Sequence, residues 1–198
     1  MDRSQPPAAT GPAFFPWSGP DLGIQSALNF PMATTTSIRT PAGIHAAGLA
    51  WVLAGGLVAG ALDLSFAFLF YGAQGATAQR ILQFVASGVL GPGSFQMGVE
   101  SAALGAFFHF FISVCAAGIY YLASLRWPFL TRRIIVAGAT FGILMFLAMH
   151  FIVVPLSAVK SGPVRLSSVI GELCSHVFLF GIPIAYAAAL AARRRAAG

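Results

Sequence analysis

The sequence predicts an all-α integral membrane protein: an antiparallel four-helix transmembrane bundle with a short amphipathic helix on its outer face between spans one and two. Two observations carry the prediction. Of the 198 residues 58% are hydrophobic and only 8% are charged, and the mean hydropathy is +0.83. A soluble domain carries about a quarter charged residues, so this chain lacks the groups to clothe a surface in water. The apolar residues also come in long continuous runs, not in the ten-residue alternations of a membrane barrel.

Four runs reach the about 20 residues that a spanning helix needs: 44–71, 101–125, 134–159 and 166–192. The first begins at residue 44, deeper than the apolar core of a cleavable signal, so no signal peptide is expected. Residues 1–42 form a tail rich in Pro, Ala, Gly, Ser and Thr. That composition cannot build a core and predicts disorder. Its aromatic cluster, Phe14, Phe15 and Trp17, reads as a patch at the membrane interface, the alternative being a short linear motif for a partner. The membrane domain is residues 43–192, followed by a basic end, 193–198.

Span one contains Gly56 and Gly60, a small-xxx-small pair that lets another helix backbone come close, and span three repeats the device with Gly138 and Gly142. Pro155 and Pro183 sit inside spans three and four, where each frees a backbone carbonyl. Cys115 and Cys174 read as small core residues. Between spans one and two, "AQRILQFVASGVL" sets Ile81, Leu82, Val85 and Val89 against Gln79, Arg80, Gln83 and Ser87 at helical spacing. It is too short to cross. It predicts a helix lying on the outer interface, or else a re-entrant cap that turns Arg80 toward buried carboxylates.

The net charge of +6 is no nucleic-acid signature, because the basic residues sit at helix ends. With four spans, Arg3, Arg39, Arg126, Arg132, Arg133, Arg193, Arg194 and Arg195 share one side. Arg80, Lys160 and Arg165 are left for the other. The positive-inside rule then makes both termini cytoplasmic. The bilayer is the one partner composition demands. A protein partner or a second copy stays open.

Within this apolar chain the ionisable groups fall at one depth. Counted from the span ends at 1.5 Å per residue, Asp63, His109, His150, Glu172 and His176 all lie roughly 9–15 Å below the outer boundary. Each span contributes at least one. Such groups cost on the order of 2.5–3.5 kcal/mol in hydrocarbon, so they must face one another or a wet cavity. The predicted inward face of span four therefore bears Ser168, Glu172, Ser175, His176 and Leu179, and its lipid face Val169, Ile170, Val177 and Ile184. Arg80, Ser113 and Ser175 are accessory candidates.

Three chemistries suit this layer. His109, His150 and His176 are the residue type that ligates a metal ion, and two axial histidines can hold a haem. Imidazoles beside carboxylates can relay protons or bind a small solute. Alternatively the groups only hydrogen-bond across helices and hold the bundle together. No catalytic residues are assigned and an enzyme is not favoured. The chain has neither G-x-S-x-G nor H-E-x-x-H, and its Glu-x-x-x-His differs from the Glu-x-x-His of di-iron bundles.

The segments "HFFISVCAAGIYY", "GATFGILMFLAMHFIVVPL" and "IGELCSH" resemble, in order and spacing, the YagU-like family of bacterial inner-membrane proteins. The resemblance covers roughly residues 105–185 and puts His109, His150, Pro155, Glu172 and His176 at the family's recurring positions. It implies a bacterial inner-membrane protein of unassigned biochemical function, and it lends no substrate.

Overall fold

A computed structural model of the protein describes residues 46–159 and 165–197. The expected tail, with Phe14, Phe15 and Trp17, lies outside these residues, as do His45 and Lys160. Among the described residues the secondary structure is helical throughout. Four helices are long and apolar enough to cross a membrane, and each apolar run falls on one of them: Gly48–Gly72, Gly98–Arg126, Ile134–Leu156 and Leu166–Arg194. In chain order we label Ala46–Gly72 α1, Ala78–Leu90 α2, Gly98–Arg126 α3, Phe129–Arg132 α4, Ile134–Leu156 α5 and Leu166–Arg194 α6.

Small residues set how closely these helices approach. A Cβ on Gly56 would stand 2.7 Å from the Val114 Cα, and one on Gly60 2.7 Å from the Ser113 Oγ. The first glycine pair therefore seats α1 against α3. Gly138 and Gly142 do the same for α5 against α6, with the Ile182 and Val177 Cα atoms 2.8 and 2.7 Å from their virtual Cβ positions. Below the polar groups the core is built from Ala59, Ala116, Ala185, Ala188 and Ala191, with Tyr120, Phe180 and Ile184 filling between them. Lipid tails are as apolar as any side chain, so helices hold together in a membrane chiefly through such close contact.

Two π-helical turns interrupt the long helices, Met149–Val153 in α5 and Ser175–Gly181 in α6. Each ends two residues before a proline, Pro155 or Pro183. Proline offers no N–H to the carbonyl four residues back, and the widened turn re-routes the bonds around that gap. A π turn accommodates one extra residue, which rotates the remainder of the helix by roughly 100°. This corrects one expectation: Ile184, assigned to the lipid face by an uninterrupted helical period, is 1% exposed in the core. Cys115 and Cys174 are a second correction, being exposed free thiols rather than core residues.

The packing of α2 is a detail that its sequence pattern leaves open. Thr77 caps it, its Oγ1 accepting from the Arg80 N–H at 3.2 Å, and Gly91 ends it at φ +66°. Its buried face is not the apolar one; it is Gln83, Ala86 and Ser87. The Gln83 amide donates to the Gly98 carbonyl at 2.9 Å and the Ser101 hydroxyl to the Ser94 carbonyl at 2.6 Å. The Ser94 hydroxyl returns to the Gln83 carbonyl at 3.1 Å. This polar knot satisfies its own groups and leaves Phe84 and Val89 exposed. At Gly105 a Cβ would overlap the Leu82 carbonyl, so α2 lies directly on the α3 backbone. In a single-cysteine scan of residues 79–90, thiols at 84 and 89 are expected to label several-fold faster than those at 83, 86 and 87. Uniform labelling would contradict this packing.

Candidate functional site

The end of the molecule where α1 finishes and α6 begins holds a cavity of about 530 Å³. Asp63, His109, His150, Glu172 and His176 all line it. They come from α1, α3, α5 and α6, so the groups read at one depth in the sequence do meet around one space. The two π turns sit at this level and carry His150 and His176.

Each acid is held by a hydroxyl from another helix. The Ser175 hydroxyl donates to Asp63 Oδ1 at 2.6 Å, and Tyr71 donates a short hydrogen bond to Glu172 Oε1. Each acid also has an imidazole near it. His150 Nδ1 stands 3.6 Å from Glu172 Oε2, and His176 Nδ1 stands 4.0 Å from Asp63 Oδ1. These side chains are partly shielded, from 16% exposed at Asp63 to 32% at Glu172. His176 Nδ1 also lies 2.8 Å from the Glu172 carbonyl, and His109 Nε2 lies 2.9 Å from the Gly60 carbonyl. A carbonyl only accepts, so both of these ring nitrogens carry the hydrogen.

The accessory candidates separate. Ser113 lines the cavity and donates to the His109 carbonyl at 2.8 Å, while Ser175 holds Asp63. Arg80 is elsewhere, stacked 4.7 Å over the Phe95 ring in a neighbouring space of about 350 Å³. That space shares Tyr71, Phe84 and Glu172 with the main cavity, so the Tyr71–Glu172 bond stands in the wall between them. Among the described residues no three His, Cys, Asp or Glu side chains gather as ligands for a metal ion. His109, His150 and His176 share the cavity, but they are turned to the Gly60 carbonyl, the Glu172 carboxylate and the Glu172 carbonyl respectively.

Three polar lining residues escape the sequence reading, Tyr71, Gln74 and Arg165, whereas Ser168 lies on the predicted inward face of span four. Tyr71 and Arg165 served there only as a span boundary and a topological charge. Both stand at helix ends, where a polar side chain needs no special cause. The usable signal was their level, just above Asp63 and Glu172. No family model, curated protein or solved structure matches the chain.

Proposed function

We propose that this chain is an antiparallel four-helix bundle of the bacterial inner membrane, both termini cytoplasmic, which admits a small polar solute or protons to a His/carboxylate cavity in its outer half. One observation carries the reading: five ionisable side chains from four membrane-length helices line a single cavity. Each would cost several kcal/mol in hydrocarbon, and gathering them around polar space removes that cost. The neighbouring groups are of the kind that exchange protons, with Glu172 between Tyr71 and His150 and Asp63 beside His176. The contacts support the antiparallel order, since Gly48, Gly56 and Gly60 of α1 meet Tyr121, Val114 and Phe110 of α3 in falling sequence. In this arrangement α2 roofs the cavity from the outer leaflet, presenting Phe84 and Val85 to it. The resemblance of residues 105–185 to YagU-like proteins supports the same membrane.

The split of basic residues supports the orientation. A reporter fused after Gly198 is expected to read as cytoplasmic. A periplasmic reading would invert the bundle and turn the cavity mouth to the cytoplasm.

A purely structural role has one observation behind it. Asp63 and Glu172 are each tied to another helix by an uncharged hydroxyl, an arrangement that needs no solute. Proteoliposomes separate the two readings. Flux of protons or solute that is lost in Glu172→Gln, with the melting temperature retained, supports the cavity. A lower melting temperature with no flux in either protein supports the structural role.

A further inference from the structure

The polarity of the cavity changes with depth. Its inner part holds Asp63, His109 and His176, whereas Gln74, Arg165 and Ser168 stand where α1 has ended and α6 begins. The donors of the inner part are already committed to the protein. His109 and His176 each give one ring N–H to a backbone carbonyl. Ser113 gives its hydroxyl to a carbonyl, and Ser175 and Tyr71 give theirs to the two acids. Acceptors remain. In the neutral ring the opposite nitrogen, Nδ1 of His109 and Nε2 of His176, accepts, and a carboxylate has about four lone-pair directions. The interior is therefore acceptor-rich and carries two acids, and its complement is a cation bearing several N–H groups. A primary ammonium has three; a quaternary ammonium has none.

The mouth has the opposite character. The Arg165 guanidinium is permanently charged and donates in a fork suited to a carboxylate or a phosphate. Phe84, Ile112, Met145 and Phe180 supply apolar wall between the two ends. A volume of about 530 Å³ lies within the usual small-ligand range of about 300–1,000 Å³.

Building on the solute-binding reading above, we infer that the occupant is a small zwitterion, its primary ammonium among Asp63, Glu172 and the histidines and its anionic group on Arg165. Two sources share that chemistry. One is a free amino-alcohol phosphate or amino acid. The other is an ethanolamine phospholipid whose headgroup reaches in from the bilayer past the smaller space, walled by Arg80, Ile81, Phe84 and Phe95.

Binding of soluble probes to the full chain in detergent tests the inference by calorimetry and thermal shift. Phosphoethanolamine is expected to bind and raise the melting temperature. Phosphocholine, which keeps the charge but has no N–H, and glycerol phosphate, which has no amine, are expected to bind about tenfold more weakly or worse, as loss of one charge-assisted contact set. Arg165→Gln is expected to weaken phosphoethanolamine about tenfold and leave ethanolamine unchanged. Glu172→Gln should weaken both, and it retains an oxygen to accept from Tyr71. Asp63→Asn provides the same test from the other acid. In a parallel arm, native mass spectrometry after extraction from vesicles of mixed ethanolamine, choline and glycerol phospholipids distinguishes the sources. Selective retention of the ethanolamine lipid assigns the lipid, and soluble binding without lipid retention assigns the free solute. Equal binding of choline and ethanolamine probes, or no binding of any amine zwitterion, overturns the inference. Flux without amine binding would overturn it while leaving the transport reading standing, and amine binding without flux would do the reverse.

Discussion

Replacing Gly142 with leucine is expected to leave no folded protein. A Cβ at this position would overlap the His176 carbonyl and stand 2.7 Å from the Val177 Cα, and both are backbone atoms that no rotamer change can move. The crossing is glycine on both sides, since a Cβ on Gly181 would stand 2.9 Å from the Gly142 Cα. Alanine is the graded version. One inserted methyl in such a contact destabilises by about 1–3 kcal/mol, and a leucine adds three more carbons to the same overlap. Gly118 is the control, because a Cβ there meets nothing within 4 Å. Thermal melts in detergent should show Gly142→Ala clearly below the parent and Gly118→Ala unchanged. If Gly142→Leu melts like the parent, α5 and α6 do not cross here. The site would move with the packing, because separating α5 from α6 takes His150 away from Glu172.

Glu172→Gln is expected to reduce flux through the cavity about ten- to hundredfold while leaving the fold in place. The amide is nearly isosteric and can still accept from Tyr71, so the link between α1 and α6 survives. What disappears is the charge beside His150 and the capacity to take a proton. A hydrogen bond to a charged group contributes about 1.5–3 kcal/mol, and a loss of that size in a transfer step is a factor of about ten to a hundred. Tyr71→Phe should have a smaller effect on flux, because it removes a neutral donor and leaves the carboxylate. Proteoliposomes with an internal pH dye measure the proton case directly. Undiminished flux in Glu172→Gln would remove this acid from the path.

Much of this arrangement was legible in the sequence, for definite physical reasons. Hydropathy marks a membrane-length helix because hydrocarbon tolerates few other structures. The depth of Asp63, His109, His150, Glu172 and His176 could be counted because helical rise is constant. Their common cavity follows from the cost of leaving them in lipid. Orientation about the helix axis was less legible. The inward set Glu172 and His176 precedes or sits within the π turn of α6, and Ile184 follows it, so a uniform period fails only for the latter. The buried face of α2 is not legible in its own periodicity, because Gln83 finds its partners in the Ser94–Ser101 turn, which no local pattern announces. Arg165 was visible as a charge, but its place at a cavity mouth depends on where α1 ends in space.

The most direct test of the central claim is water access to the five positions together. In a background with Cys115 and Cys174 changed to serine, single cysteines would replace Asp63, His109, His150, Glu172 and His176. A membrane-impermeant thiol reagent is then added from the side proposed to carry the cavity mouth. Such reagents need a thiolate, which forms in water and not in hydrocarbon. All five thiols are expected to react, while cysteines replacing Leu62, Phe111 and Phe151, which face out from the bundle, remain unlabelled. Reaction at none of the five, or only at those on a single helix, would contradict one shared polar cavity.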